Sequence, residues 1–174
     1  MKLEKHNIVA NKLAYAKGKR PAVDCILCAV VAGDERVDNL VVYQQEEFFV
    51  TLNLYPYNPG HLMVVPKRHV EDVRELQGGE VTMLHRLQGV CLNVLEREYG
   101  APGFNVGYNI GRVSGASIPH LHLQIVPRYA TEVGFFDILS DSRVIVEEPQ
   151  VTRQRLVEAF AEQAPALLAA DDIG

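Results

Sequence analysis

The chain has 174 residues, 48% of them hydrophobic and 22% charged, with no tryptophan and a formal net charge of −5. That length suits one domain, and no apolar run approaches the roughly 20 residues needed to cross a bilayer. The mild acidity, without a concentrated basic face, excludes a duplex nucleic-acid binder of the usual kind, but not a site for a small anion.

Residues 1–20 are rich in lysine, carry apolar residues at loosely helical spacing, and read as an N-terminal arm with a surface histidine, His6. The opening "MKLEKHNIVA" has no long apolar segment, so a cytoplasmic protein with no membrane partner is expected. Three cysteines in such a chain argue against a disulfide framework. Cys25 and Cys28 form a C-x-x-C in "DCILC", and Cys91 reads as a small buried apolar residue.

"NLVVYQ" and "EEFFVTLNL" are β-rich segments with a short polar gap, which suits an antiparallel hairpin. The turn formers of "YPYNPG" lead into a third strand, "HLMVVP". From Glu80 to Tyr99 the period changes: Val81, Leu84, Leu87, Cys91 and Leu95 recur at three- and four-residue steps, one face of a helix that Gly100 terminates. His85 lies beside that stripe and reads as solvated or packed. "FNVGYNIG" supplies a fourth strand and "HLHLQIV" a fifth, joined by the loop "RVSGASIP". After Arg128 a short strand at Arg143 to Val146 is expected. A helix then shows in Val151, Leu156, Val157 and Phe160, with Pro165 interrupting it. The layout is α+β: an antiparallel five-stranded sheet, one long helix, and a C-terminal extension over residues 131–174 packed on the same domain.

The fifth strand holds the chemistry. His120, His122 and Gln124 stand at every second position, so a β-strand aims them one way while Leu121, Leu123 and Ile125 face the core. Neutral imidazole is a competent nucleophile if its second ring nitrogen donates a hydrogen bond that fixes the tautomer. A phosphoryl centre with a good leaving group is a fitting target, provided flanking donors hold the non-bridging oxygens. The serines, glycines and backbone N–H groups of "GRVSGASIP" are suited to cradling an anion. Lys67, Arg68 and Arg128 are further candidates for phosphate.

"PGHLMVVPKRH", the long helix, and then "GFNVGYNIGRVSGASIPHLHLQIVPR" together resemble the histidine triad (HIT) superfamily of nucleotide hydrolases and transferases, over about Cys25 to Arg128. The nearest likeness is to the dinucleoside polyphosphate hydrolase and phosphorylase branch. That resemblance implies His122 as nucleophile on the α-phosphate, giving a covalent nucleotidyl-histidine. It implies Asn53 on the ribose, His61 at the strand lining the nucleoside pocket, and Asn109 and Ser117 near the phosphates. It also implies a homodimer.

Gln124 departs from the third histidine of the hydrolases and matches transferase relatives. An amide can hydrogen-bond a phosphoryl oxygen but cannot donate a proton as an acid, so the expected leaving group is ADP or ATP rather than an amine. The resemblance further implies a structural zinc held by Cys25, Cys28, His69 and His120; the alternative is a free thiol pair. Three rival functions stand beside dinucleoside polyphosphate cleavage. One is a nucleotide-binding module with slow or regulatory chemistry, and another a nucleotidyltransferase using a phosphorylated acceptor. The third is a hydrolase in which His120 and His122 both hold a catalytic metal.

Overall fold

The computed structural model describes residues 21–130 and 148–170. The arm expected over residues 1–20, His6 with it, and the strand expected at Arg143 to Val146 lie outside the described residues. The described residues build five strands, β1 (Val41–Gln44), β2 (Phe48–Leu52), β3 (Leu62–Pro66), β4 (Gly103–Gly107) and β5 (Leu123–Arg128). With them stand three α-helices, α1 (Ile26–Val31), α2 (Gly78–Tyr99) and α3 (Pro149–Ala170). The sheet runs β1-β2-β3-β5-β4, and every neighbouring pair is antiparallel. None of these helices is long and apolar enough to cross a membrane.

β2 and β3 are buried at every position, which explains why their sequences read as continuous apolar runs rather than as an alternation. One sheet face, with Phe48, Val50, Leu62, Val64, Leu123 and Ile125, packs on Leu84, Leu87 and Leu95 of α2 and on Leu156 and Phe160 of α3. The other face, with Phe49, Met63 and Val65, is covered by Leu27 and Val30 of α1. Gln124 stands opposite Met63 in the β3–β5 register and therefore belongs to this second face.

Helix α2 follows the expected stripe with one exception. Leu84, Leu87, Cys91 and Leu95 are buried, but Val81 is 48% exposed and the buried first-turn residue is Glu80. Gly100 ends the helix at φ 59°, in the left-handed region that glycine enters without strain. Gly60, in the Pro-Gly turn before β3, has φ 79°, and a Cβ there would lie 3.0 Å from Leu95 Cδ2. Turn geometry and helix contact thus demand glycine at the same place.

Helix α3 corrects the reading of Pro165. The helix runs through that residue instead of stopping. Proline removes one N–H and crowds the preceding turn, but packing on both sides outweighs that cost. Ala164 is fully buried, and Arg86 of α2 donates to the Leu168 carbonyl. The buried stripe is Thr152, Leu156, Ala159, Phe160, Gln163 and Ala164, while Val151 is exposed. Tyr43 of β1 stacks on Phe160 at 5.6 Å, and Arg153 Nε donates to the Val41 carbonyl at 3.0 Å.

Glu80 is buried because it has two jobs. Its Oε2 accepts from Gln77 N at 2.7 Å as half of a capping box, and both its oxygens receive Arg68 at 2.5 and 2.6 Å. Arg68 therefore ties the end of β3 to the start of α2, which removes it from the phosphate candidates. The Arg68 guanidinium, helped by the Gln77 N–H, holds the Glu80 carboxyl at about 2, against an ordinary 4.5. A depressed carboxyl stabilises the fold fully above its unfolded value, and that stabilisation is lost as pH falls toward the folded value. Thermal melts of Glu80→Gln are expected to fall by several degrees near neutral pH and to converge on the wild type between about pH 4.5 and 2. A deficit that stays constant with pH would show that the ion pair is not its source.

Candidate active site and metal centre

Cys25 is the N-cap of α1 and Cys28 lies in its first turn. Residues three apart share a helix face, so both sulfurs project toward the segment leading into β5. His120 Nδ1 lies 3.3 Å from Cys25 Sγ and 3.5 Å from Cys28 Sγ, and His69 Nδ1 lies 3.4 Å from Cys28 Sγ. All four ligand atoms fall within 4.8 Å of one another. Bond lengths to tetrahedral zinc place neighbouring sulfur and nitrogen ligands about 3.6 Å apart, so the donor set fits that ion in chemistry and in spacing.

The surroundings also suit a metal. His120 Nε2 donates to the Pro66 carbonyl at 2.8 Å, which turns Nδ1 toward the sulfurs. His69 Nε2 faces Glu71 Oε1 at 3.7 Å. Burial and the neighbouring Cys25 thiol push Cys28 up to about 11; a bound cation reverses that preference by favouring the thiolate. With four protein donors the centre is closed, as structural zinc sites are. His122 is not one of the four.

His122 itself is 8% exposed, and its Nδ1 donates to the His120 carbonyl at 2.7 Å. That bond fixes the proton on Nδ1 and leaves Nε2 with its lone pair. Burial pushes the His122 pKa below its ordinary value, outweighing the bond to His120, and so favours the neutral ring. The sequence placed His120 and His122 within the strand, but β5 begins at Leu123. The histidines occupy an extended lead-in whose Leu121 N donates to the Val70 carbonyl rather than to a ladder partner.

The remaining candidates fall into two groups. A cavity of about 520 Å³ is lined by Asn109, Gly111, Ser117, Ile118, Pro119, His120 and Glu71, and so brings together the two residues expected near phosphates. His122 and Asn53 are not among its lining residues. Asn53 continues the β2–β3 pairing, its N–H donating to the His61 carbonyl at 3.0 Å, while its Oδ1 accepts from Tyr55 N at 2.9 Å. His61 has no exposed surface; its Nδ1 accepts from Tyr57 N at 3.2 Å and its ring stacks on Tyr57 at 5.3 Å. Arg128 donates to Asn105 Oδ1 at 2.7 Å across β4 and β5, and His85 is exposed on α2. Glu71, two residues past His69 in "HVE", also lines the cavity, a place its sequence spacing does not signal.

The family model for the HIT domain matches residues 34–131. The chain belongs to the HIT family. An AP-4-A phosphorylase of Mycobacterium tuberculosis is 39% identical over 127 residues, 72% of this chain and 65% of that protein. The match thus spans slightly under two thirds of that relative's length. A Schizosaccharomyces pombe protein named bis(5'-nucleosyl)-tetraphosphatase (asymmetrical) is 30% identical over 103 residues, 59% of this chain and 57% of its own. Among solved structures, a zinc-bound histidine triad family protein from Mycobacterium smegmatis superposes with a TM-score of 0.67. It is 25% identical and aligns over 82% of this chain and 97% of its own.

Elemental analysis of the purified HIT protein is expected to give about one zinc per chain. Cys25→Ser is expected to lower that content and the melting temperature together. Metal content that does not change with the substitution would remove Cys25 from the centre.

Proposed function

We infer that this HIT protein cleaves dinucleoside polyphosphates by way of a nucleotidyl-His122 intermediate, with inorganic phosphate as the favoured second acceptor. The observation that carries the mechanism is the 2.7 Å bond from His122 Nδ1 to the His120 carbonyl, which leaves Nε2 bare. Support for the substrate class comes from the relatives named for diadenosine tetraphosphate and bis-nucleosyl tetraphosphate chemistry.

Nε2 of His122 attacks the α-phosphorus, a P–N bond forms, and the P–O bond to the rest of the polyphosphate breaks. From diadenosine tetraphosphate the leaving group is ATP, a stable anion that departs without a proton, so an amide at Gln124 suffices beside it. Gln124 and the Ser117 hydroxyl hold the non-bridging oxygens as charge shifts, and Asn109 meets the phosphate chain. Asn53 holds the ribose. His61, having no exposed surface, supports the turn and Tyr57 rather than touching ligand. Phosphate oxygen then displaces His122 to give ADP; water in its place gives AMP. Cys25, Cys28, His69 and His120 hold zinc as a structural ion. The same reading pairs two copies across the edge strand β4, whose Asn105, Val106 and Gly107 are exposed. A cytoplasmic setting fits this chemistry, since nucleotides and phosphate are plentiful there.

Product analysis of diadenosine tetraphosphate, with and without inorganic phosphate, separates the two acceptors. ADP plus ATP, dependent on phosphate, is expected; AMP plus ATP in both arms would make water the acceptor. Two ADP would place cleavage at the β-phosphorus and end the proposed mechanism. His122→Ala is expected to abolish turnover and the acid-labile adduct while nucleotide affinity stays within about tenfold. An adduct that survives the substitution would place the nucleophile elsewhere.

A further inference from the structure

Cys25 and Cys28 are within reach of each other as well as of the histidines. Both sulfurs lie against His120 Nδ1, and the two thiols are hydrogen-bonded to one another. Local structure holds them so. Cys25 caps α1 and accepts its first helical bond from Ala29 N at 3.0 Å, and Cys28 follows within that turn. Helix geometry sets Cα atoms three residues apart at roughly 5 Å, inside the span that a disulfide bridges. The two cysteines differ in access. Cys25 is buried beside His120, whereas Cys28 is half-buried and meets His69, whose side chain is 44% exposed. Cys91 is remote from both, fully enclosed in the core between the sheet and α2. Helix α1 also has an anchor besides the centre, since Leu27 and Val30 pack on Phe49, Met63 and Val65.

We propose that Cys25 and Cys28 are a modification site for hydroperoxides, closing into a reversible disulfide that takes both sulfurs out of the metal centre. A bound cation keeps the pair as thiolates, the nucleophilic form. Cys28, the more open of the two, attacks a peroxide oxygen: an S–O bond forms, the O–O bond breaks, and the departing oxygen takes a proton to leave as water. The product is a Cys28 sulfenic acid. Cys25 then attacks that sulfur; the S–S bond forms, the S–O bond breaks, and the second oxygen also leaves as water. Two thiolates, one hydrogen peroxide and two protons from solvent become one disulfide and two waters. The sulfurs give up two electrons and the peroxide oxygens take them. Thiolates, not disulfide sulfurs, hold the metal, so only His69 and His120 remain as donors. Helix α1 stays seated through Leu27 and Val30, so the pair closes within a folded chain. Release of metal rests on the zinc reading above; the sulfur chemistry needs only the pair.

The test treats the purified full chain with a molar excess of hydrogen peroxide and follows intact mass, released zinc and circular dichroism together. Wild type is expected to become two hydrogens lighter, with the bridge mapped by proteolysis to the peptide holding Cys25 and Cys28. One zinc is expected to leave per disulfide while the helical signal persists. Dithiothreitol with added zinc is expected to restore mass and metal content. Cys25→Ser, in which the second step has no attacking sulfur, is expected to stop at a Cys28 sulfenic acid that dimedone traps. Wild type that keeps both thiols under peroxide overturns the proposal, and so does a bridge to Cys91 or between two chains. Oxidation of Cys28 to sulfinic acid without a bridge overturns it as well. Should Cys25→Ser not fold, the mass and mapping of wild type decide alone. Failure of the zinc reading shows differently, as untreated protein without metal, and the mapped bridge still decides the modification site.

Discussion

The structure turns on one peptide group, that between His120 and Leu121. It offers a carbonyl to His122 and an N–H to Val70, so it joins the His122 imidazole to the segment leaving β3. The sheet exists in a form that allows this because β3 and β5 are antiparallel neighbours, with Val64 opposite Leu123. Past the end of that ladder, His120 Nε2 reaches the Pro66 carbonyl at 2.8 Å. The Cys25, Cys28, His69 and His120 cluster and the His122 ring thus meet where the chain enters β5.

Much of this was legible because the chemistry sits in short-range patterns. The every-second spacing of His120, His122 and Gln124, and the C-x-x-C at Cys25, each fix a local geometry that needs little tertiary help. Helix α2 was legible from its apolar period and its terminal glycine. What the pattern hid was tertiary. Helix α1 has only six residues, too few for periodicity to register. Arg68 read as a loose cation because its partner, Glu80, lies twelve positions away and is buried by the pairing itself. Pro165 read as a stop because the contacts that carry α3 past it come from α2, on the far side of the sequence.

The bearing of each expected site histidine is set by what its ring meets. His61 was expected at the strand lining the nucleoside pocket, and in the folded protein its ring is buried and stacks on Tyr57. His120 and His122 were expected on one face of a strand, His120 as a zinc ligand and His122 as the nucleophile. Burial lowers the pKa of both rings, yet one is turned toward sulfur and the other has a bare nitrogen. The difference lies in the backbone carbonyls they meet: Pro66 takes His120 through Nε2, and His120 takes His122 through Nδ1. Two like side chains, two residues apart, are thus given opposite faces to offer.

The family match stops at residue 131, but the apolar interior does not. Leu156 and Phe160, well beyond it, are wholly enclosed against the sheet and α2. Burying two such side chains is worth on the order of 4 kcal/mol, a large fraction of the margin by which a domain of this size usually stays folded. A fragment ending at residue 131 would keep the sheet and α2 but still present a bare oily flank to water, prone to sticking to its own kind.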